Sequence, residues 1–171
     1  LVQTAVGGDA ADTHPYVTFN RCASAAPAGA GGLYIHLMRE NVDDTYAERL
    51  TADYTPQQIS RAIMEGAAFE MRSQIEQRKA AGIDAERITM VGGPSESDVW
   101  PQILSDVTGL RFDITHGQNA GATGAAILAG IGCGIFDNER QAAGIVARQP
   151  VEFRPDPAAQ KEYDALYERY M

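Results

Sequence analysis

The sequence predicts an α/β domain assembled as an αβα-type succession, and three observations carry that prediction. Thr55-Pro56-Gln57-Gln58 opens a long stretch of helical periodicity. The apolar run Ile88-Thr89-Met90-Val91 is stopped by two glycines, Gly92-Gly93, and followed by serines and acids that suit a helix start. A second short run, Leu110–Ile114, precedes a segment dense in glycine and alanine, Gly117–Gly134.

Near the start, Gly7-Gly8-Asp9-Ala10-Ala11-Asp12 sets two carboxylates beside glycines without a preceding strand, so it reads as a polar turn. Ala23–Gly32 is an Ala/Gly/Pro-rich connector into Gly32–Met38, an apolar run that predicts a strand, with His36 a satisfied strand histidine. Arg39–Tyr54 carries Glu40, Asp43, Asp44 and Glu48 and reads as an exposed acidic loop. Thr55 then supplies an N-cap and Pro56 the first helical position. Ile59, Ile63, Ala67, Met71 and Ile75 recur every fourth residue and predict one buried stripe, with Gly66 and Ala67 small enough for close packing. Ala80-Ala81-Gly82 ends this helix.

Arg87–Val91 is the strand that feeds the Gly-Gly turn. Glycine lacks Cβ and takes positive φ, so the main chain there is open to close approach by a ligand. A helix start beyond it offers unpaired N–H groups and a positive dipole end, which together favour an anion. Ser95 or Ser97 can cap that helix, and Pro101 must fall in its first turn, placing the start near Ser97. Val99, Ile103, Leu104 and Val107 mark its core face. After Thr108-Gly109, the alternation in Leu110–Ile114 predicts a strand with one polar face. The small residues Gly121-Ala122-Thr123-Gly124-Ala125-Ala126 fit either close helix packing or backbone approach to a ligand. Pro155-Asp156-Pro157 marks a break, and Ala158–Met171 is a polar helix with Tyr163, Leu166, Tyr167 and Tyr170 on one side, a docking face.

Composition narrows the functional classes. With 171 residues, 44% of them hydrophobic, the chain is one compact domain or a piece of a larger one. Fourteen basic against 23 acidic residues give a net charge of -9, which disfavours nucleic acid and anionic membranes as partners. No run approaches the roughly 20 apolar residues of a membrane helix, and Leu1-Val2-Gln3-Thr4 lacks the succession of a signal peptide, so a cytoplasmic protein is expected. Cys22 and Cys133 have no CxxC spacing and read as small buried hydrophobes, and His14, His36 and His116 show no paired ligand spacing, so no metal site is expected from this chain.

Three blocks at their observed order and spacing, Arg61–Phe69, Val91–Gly109 and Gly121–Ala126, resemble the C-terminal domain of FGGY-type carbohydrate kinases, with the xylulokinase-like members most similar. The resemblance extends to Ala28–Leu37 and to the tail Phe153–Tyr170, and so covers nearly all of residues 16–171. It implies an actin-like ATPase, ribonuclease-H-like α/β domain, present here only as its C-terminal part: residues 1–171 belong to the nucleotide-binding domain, and the N-terminal sugar-binding domain is absent. The implied activity is transfer of the γ-phosphoryl of ATP, with Mg2+, to a sugar hydroxyl, on a pentulose such as xylulose. By position, Gly92, Gly93 and Pro94 would face the ribose and phosphates, Ser97 would lie by the adenine, and Gln102 and Gly124 would line or support the same pocket.

The departures are specific. Pro94 stands where the family carries a small residue, and proline removes an N–H that could meet a phosphate oxygen. Arg39-Glu40-Asn41 replaces the usual Gly-Glu-Arg, and the pattern that follows it is largely lost around Ala47–Leu50. The family's catalytic aspartate and phosphate hairpin lie upstream of the matched region, and Asp9 sits too close to Gly32 to be that aspartate. The chain is therefore expected to hold no catalytic residue, to be inactive alone, and to take ATP or ADP directly and the sugar only through the absent domain. Magnesium would be held mainly by parts outside this chain. Uncovered core edges would favour self-association as a homodimer. The contrasting reading is a non-catalytic nucleotide-binding or assembly module working through the acidic loop and the tyrosine-lined helix.

Overall fold

A long helix, α2 (Pro56–Ala80), is the spine of the molecule, and the other elements are placed by what they press against it. The computed structural model describes residues 15–37, 50–115, 119–147 and 149–171. Helix α2 starts where the sequence puts its cap. The Gln58 N–H donates to Thr55 Oγ1 at 3.3 Å, the Thr55 N–H donates to Gln58 Oε1 at 3.1 Å, and Pro56 occupies the first turn, where no intrahelical bond is lost. It ends at Ala80, and Gly82 just beyond it takes φ 84°.

Helix α1 (Pro15–Ala25) packs on α2 through Phe19 and Ala23, and the tight turn Ala28–Gly32 follows it. Beyond α2 come β1 (Arg87–Met90), a one-turn helix Gly93–Glu96, α3 (Trp100–Thr108) and β2 (Arg111–Ile114). Helices α4 (Ala120–Gly132) and α5 (Glu139–Val146), strand β3 (Val151–Phe153) and helix α6 (Pro157–Tyr170) complete the order. The three strands form one sheet in the order β1-β2-β3. β1 and β2 run parallel with Ile88 opposite Phe112, and β3 is antiparallel to β2 with Phe153 opposite Phe112. A parallel pair needs a crossover connection, and α3 is that crossover.

The main core joins Phe19 and Ala23 of α1, Met64, Ala68 and Phe69 of α2, Ile103, Leu104 and Val107 of α3, Phe112 of β2 and three tyrosines of α6. A smaller cluster gathers Ala30, Leu33, Ile35, Leu50, Ile59 and Ala62. Phe69 is the centre of the aromatic part, with ring centroids 6.2, 5.9 and 5.0 Å from Tyr163, Tyr167 and Tyr170 in tilted or edge-on geometry. Such pairs add about 0.5–1.5 kcal/mol each beyond the area they bury.

Several expectations are corrected. Gly32–Met38 is not a strand over its described part: Leu33–Leu37 pairs with no strand among the described residues and lies along α2, burying Leu33 and Ile35. A Cβ on Gly66 would collide with the Ile35 carbonyl oxygen, so this glycine sets how closely segment and helix approach. The predicted stripe on α2 is only partly buried, with Ile59 inside and Ile63, Ala67, Met71 and Ile75 half-buried. A strict four-residue step drifts by about 40° per repeat around a helix of 3.6 residues per turn, so such a row winds off any single face. The deeply buried set is Ile59, Ser60, Ala62, Met64, Glu65, Gly66, Ala68 and Phe69. Cys22 is half-buried and Cys133 exposed, both as free thiols, so neither is the fully buried hydrophobe expected. The polar face of β2 is buried at Asp113. Gly7–Asp12 with Asp9, His14, the acidic residues from Glu40 to Glu48, Arg39-Glu40-Asn41 and His116 lie outside the described residues.

Candidate functional site

The site that the sequence singles out sits at the carboxyl end of β1. Gly92 takes φ 86° and ψ -172°, a backbone conformation open essentially to glycine alone. The chain then turns once over Gly93–Glu96 rather than entering the long helix directly. Within that turn the Ser95 N–H and the Ser95 hydroxyl both donate to the Gly92 carbonyl, at 3.0 and 2.6 Å. The Ser97 N–H donates to the Pro94 carbonyl at 3.3 Å. Ser97 is buried, and its Oγ accepts from the N–H groups of Val99 and Trp100 at 3.3 and 3.0 Å. Neither of the two serines is the N-cap of α3, which is Val99 with no side-chain cap bond; Ser97 instead closes a turn just ahead of the helix, and Pro101 falls harmlessly in the first turn. Helix α3 starts at Trp100, three residues later than the position near Ser97 expected from the sequence, because the short turn is interposed.

What this turn offers a ligand follows from its hydrogen bonds. Among the described residues, no acceptor meets the N–H of Gly92 or of Gly93, and a Cβ built on Gly93 meets nothing within 4 Å. Gly93 and Pro94 are exposed. The loop thus presents two open amides, that of Gly93 on exposed main chain and that of Gly92 on half-buried main chain. Glu96 and Asp98 are exposed in the same turn and make its rim acidic.

The remaining candidates are placed differently. Gln102, on α3, donates from Nε2 to Asp106 Oδ1 at 2.8 Å and to the Arg154 carbonyl at 2.9 Å. Asp106 also accepts the Asp156 N–H at 2.8 Å, so this pair ties α3 to the start of α6. Burial pushes the Asp106 carboxyl above its ordinary range, with those hydrogen bonds acting in the opposite direction. Gly124 lies on α4, where an added Cβ would meet open space. Helix α4 packs mainly against α5, with Gly130 its one buried residue, pressed on Phe136 at a spacing where a Cβ would be 2.6 Å from the ring. A groove of about 760 Å³ runs along this hairpin, lined by Ala126, Ile127, Cys133, Phe136 and Ile145 among others; none of Gly92, Gly93, Pro94, Ser97 or Gln102 lines it.

Sequence reasoning missed a buried carboxylate that joins three elements. Glu65 is 3% exposed, and its Oε1 accepts from the Gly29 N–H at 3.0 Å, Arg61 Nε at 2.8 Å and the Tyr163 hydroxyl at 2.8 Å. Arg61 also reaches the Ala23 carbonyl at 3.5 Å and the Tyr163 oxygen. Burial, and then the Glu65 charge, hold the Tyr163 hydroxyl protonated well above the usual phenol range. Four consecutive residues, Gly29 to Gly32, have positive φ, among them the buried Ala30 at φ 50°. The Glu65 carboxylate anchors the first of them. The tyrosine face of α6 is spent inside the fold too, since Tyr167 and Tyr170 donate to Glu76 and Glu70, each at 2.9 Å. The expected docking face is real, and its partner is α2. His36, expected to be satisfied, stacks on Tyr170 with centroids 4.1 Å apart and leaves a buried Nδ1 without a partner.

Among the described residues no three His, Cys, Asp or Glu side chains converge as a metal site, and no helix is long and apolar enough to cross a membrane. Against known proteins, a sequence model described as the FGGY family of carbohydrate kinases, C-terminal domain, matches residues 10–133. The L-xylulose/3-keto-L-gulonate kinase of Escherichia coli (strain K12) is 34% identical over 122 residues, which is 71% of this chain and 24% of that protein. The xylulose kinase of Bacillus subtilis (strain 168) is 31% identical over 110 residues, 64% of this chain and 22% of its own length. The chain therefore spans about a quarter of the curated relatives it matches. In fold it is similar to the crystal structure of xylulose kinase from Rhodospirillum rubrum, with a TM-score of 0.71 at 23% identity over 98% of this chain and 35% of that one.

Proposed function

This chain belongs to the FGGY family of carbohydrate kinases, and from that premise we propose that it supplies the ATP-binding part of an ATP-dependent sugar kinase. The observation that carries the reading is the strand, Gly92-Gly93 turn and following helix lying within the family-matched residues 10–133. The fold is that of an actin-like ATPase domain in its C-terminal part, and residues 1–171 are assigned to that one nucleotide-binding domain.

Phosphoryl transfer asks a protein mainly for positioning and for charges aimed at the phosphates. Gly92 and Gly93 offer open amides to a nucleotide, Pro94 bounds the turn, and Ser97 holds the turn's shape by accepting the Val99 and Trp100 N–H groups rather than by reaching outward. Gln102 supports the site through Asp106 and Arg154, and Gly124 is assigned to the far wall. Magnesium would arrive with the nucleotide phosphates. The aspartate that activates the sugar hydroxyl and the sugar-binding domain are sought outside these residues. The relatives' names point to a pentulose such as xylulose as the acceptor. A cytoplasmic setting suits an enzyme that draws on ATP.

Calorimetry of the chain with ATP and ADP tests this reading. Saturable binding that Gly92→Val abolishes is expected, while ATP-dependent phosphorylation of xylulose by these 171 residues alone should be absent. Substantial turnover would show that the catalytic machinery has been misplaced, and no binding at millimolar nucleotide would sink the assignment of the turn.

A further inference from the structure

We propose that Gln102, Ser105 and Asp106 are positioning residues for the nucleotide turn, a polar clasp through which the tail segment 153–156 fixes where α3, and with it the 92–97 turn, stands. The inference rests on the nucleotide-seat reading above and adds to it a dependence on residues beyond the family-matched 10–133. The three side chains share one face of α3, at the i, i+3 and i+4 spacing. All three are tied to main chain of the tail. Gln102 uses both Nε2 protons, on the Arg154 carbonyl at 2.9 Å and on Asp106 Oδ1 at 2.8 Å. The same Asp106 oxygen accepts the Asp156 N–H at 2.8 Å. The Ser105 hydroxyl is shared between the carbonyls of Leu110 and Phe153, at 2.8 and 3.2 Å. Ser105 and Asp106 are buried, so a bond lost there is not simply exchanged for one to water.

The tail end of the clasp is itself fixed. Asp156 caps α6 by accepting the N–H groups of Ala158 and Ala159 at 2.8 and 3.0 Å, and α6 is held on α2 through Tyr163 on Glu65 and Tyr167 on Glu76. The other end of α3 reaches the turn. Just ahead of Gln102, the Trp100 N–H donates to Ser97 Oγ at 3.0 Å, and the Val99 N–H donates to the same oxygen at 3.3 Å. Helix α3 has nine residues, roughly 13 Å of helix, and moves as one rod. A displacement at Gln102 therefore arrives at Ser97, whose own N–H is bonded to the Pro94 carbonyl inside the turn.

The test compares ADP affinity by calorimetry on the full chain and its variants, at a temperature where circular dichroism shows each of them folded. Gln102→Met keeps the length of the side chain and removes its bonds to the tail; with positioning worth about one net hydrogen bond, ADP should bind about fivefold more weakly. Asp106→Ala should weaken ADP to a similar degree, and Asp106→Asn, which keeps an oxygen for both donors, should rescue most of that loss. Tyr167→Phe loosens α6 from α2 without touching α3, so it should lower the melting temperature and leave the affinity within about twofold. Should Asp106→Ala fail to fold, Gln102→Met against Tyr167→Phe decides the matter. A Gln102→Met protein that binds ADP as tightly as the unaltered chain overturns the inference and leaves the nucleotide seat standing. So does an Asp106→Asn protein no better than Asp106→Ala, or a Tyr167→Phe protein weakened by the same factor as Gln102→Met, since affinity would then follow stability alone. Failure of the unaltered chain to bind ADP removes the seat itself, and the inference with it.

Discussion

Replacing Glu65 by alanine should be among the most damaging single changes in this protein, and its cost can be worked from the contacts. One carboxylate oxygen serves three donors on three elements: the Gly29 amide, Arg61 on its own helix and Tyr163 on α6. Glu65→Ala leaves the Gly29 N–H buried and unpaired, at about 1–3 kcal/mol, and leaves the Arg61 charge without its carboxylate, where breaking a buried pair costs about 3–5 kcal/mol. These terms share one group and do not add, so a loss of about 4 kcal/mol is expected. For a chain of this size that lowers the melting temperature by roughly 8–16 °C. Thermal unfolding followed by circular dichroism measures it. The paired change Arg61→Met with Glu65→Leu removes both charges together and should cost less than Glu65→Ala alone. A Glu65→Ala protein that melts within 2 °C of the parent would refute the reasoning, since the network would then be ornamental to the fold.

Other consequences are as direct. Gly66→Ala drives a methyl into the Ile35 carbonyl, a backbone atom with no rotamer to escape to, and should destabilise by about 2 kcal/mol in urea unfolding. Asp106 has a folded pKa raised by burial, so the folded state holds its proton more tightly than the unfolded one, and the stability it contributes falls as pH rises from about 4 through that raised value. Asp106→Asn should abolish this decline, seen as a variant-to-parent stability difference that shifts in the variant's favour across that window. Leu128 on α4 is 70% exposed, so Leu128→Glu should change stability by less than about 0.5 kcal/mol while reducing any self-association seen by sedimentation.

What the sequence made legible was local chemistry with a short reach. Thr55-Pro56 spells an N-cap and a proline in the first turn, and both form, with Gln58 completing a capping box; Gly82 and Gly109 follow the last turns of α2 and α3 with positive φ. The Gly92 turn was readable for the same reason. Residues whose roles depend on distant partners were not. Glu65 sits mid-helix between apolar neighbours and gives no sign that Gly29 and Tyr163 will converge on it, since those partners lie 36 and 98 positions away. Leu33 and Ile35 alternate as strand residues do, yet the alternation is satisfied by packing on a helix that Gly66 leaves bare. Helix α1 went unseen although Phe19 and Ala23 are four apart, and α5 although Asn138 caps it by accepting the Gln141 N–H at 3.0 Å, an Asn-x-x-Gln signal available in the sequence. Strand β3 is three residues long, too short for a pattern to show.

The central claim is that a nucleotide docks on the main chain at Gly92 and Gly93. Nitrogen-15 amide NMR of the chain titrated with ADP tests it most directly, because glycine amides resonate in a sparse region and report contact rather than turnover. The account predicts saturable shifts centred on Gly92 and Gly93, with those of Ser95 and Ser97 smaller because their amides are already bonded within the turn. Shifts confined to the α4–α5 groove, or none at millimolar ADP, would contradict it.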